Sequence, residues 1–221
     1  ISFASDFPND TGKYHIIKCI EKCRTQPGIW AASGNACVVH LQHESMKMKC
    51  IQEIRIPDAC QVRVLHEDDQ GNLWIGTENA IYQYSISDGN MRRIHKDTGA
   101  INGIAISPDK AIYYITETPE FSCLPPDGQV HSIHKGENYS SIIISPDNKI
   151  WTATLEGNVY SYHPQLQTLA REDNACNANG DAVKSMTVDN LGHLWILADQ
   201  YVKEYNPKNH SFRILYNSDR F

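Results

Sequence analysis

Five times along the chain an aliphatic residue is followed by a large ring and then by mainly small or aliphatic residues. The segments are GIWAAS (Gly28–Ser33), NLWIGT (Asn72–Thr77), AIYYIT (Ala111–Thr116), KIWTAT (Lys149–Thr154) and HLWILA (His193–Ala198). Their rings, Trp30, Trp74, Tyr113, Trp151 and Trp195, are spaced by 44, 39, 38 and 44 residues. A repeat of that length marks stacked supersecondary units, each too small to bury its own apolar face. An apolar segment precedes each ring: YHIIKCI, CQVRVLH, INGIAIS, YSSIIIS and VKSMTV. The intervening turns carry Gly28, Asp69 with Gly71, Asp109, Asp147, and Asp189 with Gly192. Asp bonds its own backbone and Gly accepts positive φ, so each turn predicts a tight hairpin. An alternating segment follows the ring (CVVHLQ, AIYQYSI, NVYSYHP, YVKEYNP), and a last segment closes each unit (MKCIQEI, MRRIH, QVHSIH, QTLARE, FRILY). The third unit is irregular after its ring, where it reads FSCLPPDG.

Alternation with period two is the strand signature, and no helical period runs through the chain. Four short strands in about forty residues make one propeller blade. The expectation is therefore an all-β chain, a β-propeller of about five four-stranded blades. It forms a single region over residues 1–221, with blades near 13–56, 60–96, 100–135, 138–173 and 181–217. The five rings are expected at equivalent, largely buried positions, each filling the gap between stacked sheets.

Composition narrows the function classes. A net charge of −6 and no run of Lys or Arg argue against a nucleic-acid partner. No apolar stretch approaches the roughly 18 residues of a membrane helix, and ISFASDFPND does not read as a signal peptide. Seven cysteines (19, 23, 37, 50, 60, 123 and 176) match no zinc spacing. They read as buried small hydrophobes, or as holding one disulfide in an oxidising compartment. The histidine pairs in HLQH (His40, His43) and HSIH (His131, His134) sit three apart on strands and so point to opposite faces. No metal and no cofactor is expected. No nucleophile elbow, P-loop or H-E-x-x-H is present, so no catalytic residue is assigned. Ser107–Asp109 and Ser145–Asp147, both Ser-Pro-Asp, read as a repeated turn.

Topology alone places candidate ligand residues. If the strands of a blade are called A to D, the B–C and D–A loops share one end of a propeller. That end would carry Glu78, Asn79, Asn102, Glu117, Tyr139, Glu156 and Asp199, the candidate ligand-binding set. Around them lie Ser33, Asn35, Gln200, His15, Lys96, Asp97, Asn138 and Asp181. Amides, carboxylates and an aromatic ring suit a sugar; the same residues also suit plain solvent exposure.

Residues Glu67–Tyr84, EDDQGNLWIGTENAIYQY, closely resemble the two-component regulator propeller repeat. Glu67, Asp68, Gly71, Asn72, Leu73, Trp74, Ile75, Gly76, Thr77 and Tyr84 match that pattern, and Asn79-Ala80-Ile81 departs from its glycine-leucine step. The fifth unit, VDNLGHLWI, is a good match and the others are degenerate. The resemblance implies a piece of the periplasmic sensor region of a hybrid histidine kinase of the Bacteroidetes type. Such regions are non-enzymatic and many respond to glycans. The implied partners are an oligosaccharide, further blades of a seven-bladed ring, downstream signalling domains and a second copy of the chain. In that ring ISFAS (Ile1–Ser5) would supply a spare fourth strand to a distant blade. Two other readings stand beside this one: an enzyme similar to the streptogramin-lyase propellers, which also carry G-N-L-W units, and a protein-interaction scaffold.

If Trp74 fills the gap between sheets, Trp74→Ala should cost about 3–5 kcal/mol in chemical denaturation. A change below about 1 kcal/mol would show that the ring is not core.

Overall fold

The computed structural model describes residues 17–33, 36–44, 47–59, 61–96, 99–176 and 180–217. Ile1–Ser5, His15, Asn35, Cys60 and Asp97 lie outside them. The described residues form twenty strands in five antiparallel four-stranded sheets, and in every sheet spatial order is chain order. Their helical content is one short 3-10 turn, Pro57–Ala59.

The chain divides into two compact units, Ile1–Ile101 and Asn102–Phe221. The first holds two sheets. They are β1 (Ile17–Lys22), β2 (Ile29–Ser33), β3 (Cys37–Glu44) and β4 (Lys47–Arg55), then β5 (Val62–Glu67), β6 (Asn72–Thr77), β7 (Ala80–Ser85) and β8 (Met91–Lys96). Trp30, Ala32, Val38 and Ile54 of the first sheet pack with Val62, Leu65, Ile75 and Tyr82 of the second.

The second unit holds three sheets. Its first is β9 (Ile101–Ile106, whose leading residue ends the first unit), β10 (Ile112–Thr116), β11 (Glu120–Leu124) and β12 (His131–Lys135). Then come β13 (Tyr139–Ile144), β14 (Ile150–Thr154), β15 (Val159–His163) and β16 (Thr168–Arg171). Last are β17 (Val183–Val188), β18 (Leu194–Ala198), β19 (Tyr201–Asn206) and β20 (Ser211–Asn217). The third repeat, irregular in sequence, makes a complete sheet, because Glu120–Leu124 pairs on both sides. Its Phe121 lies 5.9 Å from Tyr162 and 6.0 Å from Tyr139, both edge-on, so one ring stitches two sheets. Beside it Gly103 leaves no room for a side chain, since a Cβ would stand 2.6 Å from Ile142 Cγ2.

The five rings sit at equivalent register on the second strands, opposite His40, Gln83, Cys123, Ser161 and Glu204. Trp30, Trp74, Tyr113 and Trp151 are buried, but Trp195 is only half-buried. Trp151 is covered by the next sheet, through Tyr205, Met186 and Leu194.

An indole also brings an N–H that must be satisfied when buried. Trp74 donates to Asp68 (2.9 Å), Trp151 to the Ser145 hydroxyl (3.1 Å) and Trp195 to Asp189 (3.1 Å), each acceptor six residues upstream. The expected turn residue Asp69 is replaced in this role by its neighbour. Asp69 is exposed and pairs with Arg24, while Asp68 also accepts the backbone N–H groups of Gln70 and Asn72. In the first sheet the hairpin closes between Cys23 and Gly28, one residue longer than the Asp68–Asn72 closure. Trp30 instead donates to Glu67 of the following sheet (2.6 Å), a fully buried carboxylate that also takes the Thr25 N–H and hydroxyl.

Four of the first hairpins in the sheets share one turn. The N–H of the fourth residue bonds the carbonyl of the first in Asp68–Gly71, Ser107–Lys110, Ser145–Asn148 and Asp189–Gly192. The fourth residue is left-handed in each, with φ of 78°, 68°, 63° and 82°. Gly adopts that conformation freely, Asn with little cost, and Lys with strain of about 1 kcal/mol or more. Lys110→Gly should therefore stabilise the protein by about 0.5–1 kcal/mol, since relief of strain outweighs the added chain entropy. Gly192→Ala, where no atom stands within 4 Å of the new methyl, should cost about 1–2 kcal/mol. Urea unfolding of both variants checks the pair; a neutral Gly192→Ala would refute the strained-turn account.

Candidate functional site

Antiparallel order places the start of the first strand, the turn between the second and third, and the end of the fourth at one end of each sheet. In the second unit this end gathers polar side chains. Asn138 donates its amide to Glu156 (2.6 Å), and the Asn138 carbonyl accepts the Leu155 N–H. That amide holds the Glu156 carboxyl below its usual range. Lys184 pairs with Asp199 at 3.1 Å. Behind them Glu137 accepts the Tyr160 hydroxyl (2.7 Å) and the Asn158 amide (3.2 Å). The Asn158 oxygen accepts two N–H groups of Arg171, which also reaches Asp173 at 2.8 Å. Burial, then the Glu137 carboxylate, pushes the Tyr160 phenol up to about 12. Deeper, the buried Lys203 ammonium donates to the carbonyls of Ala175 (3.1 Å) and Cys176 (2.7 Å) beneath the Phe212 ring. Burial lowers its pKa.

The expected ligand residues are thus unequally placed. Glu117, Glu156 and Asp199 are exposed and Asn102 is half-buried on the second unit. Glu78 and Asn79 are exposed on the first, in a turn held by the Thr77 hydroxyl, which donates to the Ala80 carbonyl (3.0 Å). Tyr139 needs correction as a stacking surface. It is 3% exposed, with its hydroxyl bonded to His134, so its face is committed to the core. The HLQH histidines do point apart: His40 is buried on Trp30 with a ring nitrogen on the Pro27 carbonyl, and His43 is exposed. The HSIH pair does not: a bulge in β12 sets His131 opposite Cys123 and His134 opposite Phe121, two residues apart on β11 and so on one face.

Two features of the second unit escaped the sequence reading. Clefts of about 300 and 210 Å³ open at the other end of its sheets, between successive Ser-Pro-Asp or Asp-Asn-Leu turns. Pro146, Leu191 and Pro207 line the first, and Pro108, His163 and Pro164 the second. The recurring turn prolines were the available signal. The other feature is a grouping of Asp189, His193 and Glu204, whose ligand atoms lie within 4.8 Å of one another.

The two component regulator propeller family matches residues 56–79, which contain Glu67, the acceptor of the Trp30 indole across the first two sheets, and the Asp68–Trp74 pair within the second. No curated protein matches the sequence. The fold is similar to the extracellular domain of the putative hybrid two component system BT4673 from B. thetaiotaomicron (TM-score 0.71, 17% identity, 93% of this chain and 28% of that one). The corresponding domain of BT3049 from the same organism is similar at TM-score 0.71 and 15% identity, over 93% of this chain and 29% of that one. The Neurospora crassa Pan2 WD40 domain is similar at TM-score 0.74 and 16% identity, over 94% and 68%. The chain is therefore a β-propeller, and it spans less than a third of the B. thetaiotaomicron chains.

Cys19, Cys23 and Cys50 of the first unit and Cys123 and Cys176 of the second carry free thiols. Burial pushes the thiols of Cys19 and Cys23 up to about 12, and that of Cys123 to about 11. Each fold-raised pKa contributes stability that is complete below the unfolded thiol value near 9 and drains away as pH climbs toward the folded value. Lys203, shifted down, acts with the opposite sign, and the three thiols outnumber it. The unfolding midpoint should fall steadily above about pH 9, and these thiols should resist a disulfide reagent at neutral pH until denaturant is added. Rapid labelling of the native chain at Cys23 and Cys123 would contradict the buried placement.

Proposed function

We propose that this chain, which carries a two-component regulator propeller repeat, is a non-enzymatic ligand-sensing segment of the periplasmic region of a hybrid histidine kinase. The supporting observation is the coincidence of sequence and structure at residues 56–79. Among the residues that match the family pattern, Glu67 takes the Trp30 indole and Leu73 and Ile75 pack against the first sheet, so the match reaches beyond composition into packing. The likeness to extracellular domains of two putative hybrid systems supports the same reading. No helix among the described residues is long and apolar enough to cross a membrane. The signalling domains, further blades and a second copy of the chain are partners that this reading supplies.

The ligand class proposed is a glycan or its fragments. Asn138 with Glu156, and Lys184 with Asp199, offer exposed donors and acceptors in fixed pairs at one end of the second unit, the chemistry that vicinal hydroxyls recognise. Glu117 and Asn102 are assigned to the same surface, and Glu78 with Asn79 to the equivalent end of the first unit. These groups are held by one another, and no nucleophile and base are aimed at a common point among them. That favours binding over turnover, against the streptogramin-lyase-like alternative.

Thermal shift of the chain against a panel of soluble plant and host oligosaccharides tests this. One glycan class should raise the melting temperature, and Glu156→Ala or Asp199→Ala should weaken that binding about tenfold, roughly 1.4 kcal/mol, without moving the melting temperature of the free chain. Binding unaffected by both substitutions would remove this surface from the reading. Turnover of a panel member would replace sensing with catalysis.

A further inference from the structure

The last sheet of the second unit brings together three metal-ligating side chains from separate parts of the sequence. Asp189 and His193 face each other across the closing pair of a hairpin, where Asp189 N–H bonds the His193 carbonyl at 3.0 Å. Glu204 stands beside them because β19 pairs with β18 in the register Trp195–Glu204. His193 Nδ1 lies 2.8 Å from Glu204 Oε1 and 3.9 Å from Asp189 Oδ2. Around a tetrahedral ion with bonds of about 2.0–2.2 Å, neighbouring ligand atoms stand about 3.4 Å apart. The two measured separations bracket that value, so small side-chain rotations suffice.

The geometry points to a divalent transition-metal site formed by Asp189, His193 and Glu204, suited to zinc, with its remaining position open to solvent. One imidazole and two carboxylates make a mixed nitrogen–oxygen donor set, which favours zinc over calcium or magnesium. Each carboxylate ligand is also held from behind, as metal ligands are in built sites. Asp189 Oδ1 accepts the N–H groups of Leu191 and His193, and its other oxygen accepts the Trp195 indole. Glu204 turns its second oxygen to Arg213, leaving Oε1 toward His193. A metal bound at Asp189 Oδ2, Glu204 Oε1 and His193 Nδ1 would keep the Leu191, His193 N–H, Trp195 and Arg213 contacts and take the place of the hydrogen bond between the His193 ring and Glu204. Charge argues the same way. Two carboxylates face one guanidinium, so with a neutral imidazole the group carries an excess negative charge that a cation offsets. All three ligands are partly exposed, with side-chain accessibilities of 31%, 21% and 12%, so an ion has a route in.

The test uses the chelator-treated full chain titrated with zinc chloride by calorimetry, and with cobalt(II) followed by visible absorption. One saturable site per chain is expected, with the intense bands of a low-symmetry cobalt centre and a melting temperature that rises with zinc. His193→Ala and Glu204→Gln should each weaken binding by about tenfold or more, while His43→Ala, at an exposed residue outside the group, leaves it unchanged. Far-ultraviolet circular dichroism of the metal-free variants checks that they fold; if Glu204→Gln does not, His193→Ala and His193→Gln carry the test. Zinc binding that survives both folded His193 variants would overturn the proposal, since other histidines and cysteines would then hold the ion. Absence of binding at about 1 mM zinc would also overturn it, leaving an ion-pair network only. Calcium binding with zinc indifference would refute the donor-set assignment.

Discussion

A tryptophan that fills the gap between sheets brings with it an N–H that cannot be left bare. The ring supplies apolar area, but a buried donor without an acceptor forfeits about 1–3 kcal/mol. Much of the turn chemistry serves that one requirement. Asp68, Ser145 and Asp189 each close a hairpin with their own backbone and present a side-chain oxygen to the indole six residues on. At Asp68 burial opposes ionisation, yet the Trp74 indole and the Asn72 and Gln70 donors outweigh it and hold the carboxyl below its usual range. Turn, cap and core are thus one device, and the repeated spacing of acid or serine and ring is its trace in the sequence.

The architecture was legible because it is periodic. Five rings at about forty-residue spacing, with two-residue alternation between them, leave few folds other than stacked four-stranded sheets. Even the degenerate third unit obeyed, since Phe121 and Cys123 alternate inward although the turn after them is unusual. Identity at each turn was less legible. Asp68 and Asp69 are adjacent and both suit a turn, and only the direction of the pleat decides which one meets the indole. Trp195 illustrates a different limit: its burial depends on what covers it, and a local pattern carries no information about that.

The candidate site was the least legible part. Loop membership predicts which end of a sheet a residue occupies, and Glu156 and Asp199 fell where expected. It does not predict depth, and Tyr139, the first residue of β13, went into the core. The Asp189, His193 and Glu204 group was invisible for a related reason. Its members are joined by strand register, and His193 reads in sequence as no more than the residue before Leu194-Trp195. The clefts between turns were hidden similarly, because each is made by two repeats whose turns look individually like simple connectors.

The acceptor of Trp30 sets the first sheet apart. In the second, fourth and fifth sheets the indole finds its oxygen 6 residues away, inside the same hairpin, whereas Trp30 waits for Glu67, 37 residues downstream. A ribosome delivering this chain would release a first sheet with an unmet donor, which the second sheet then completes as it emerges. The same asymmetry bears on how such arrays grow by duplication. A copied second, fourth or fifth unit carries its own cap and can be inserted as a self-contained module. A copied first unit is competent only when a glutamate follows it in the right place, so its neighbour is part of its inheritance.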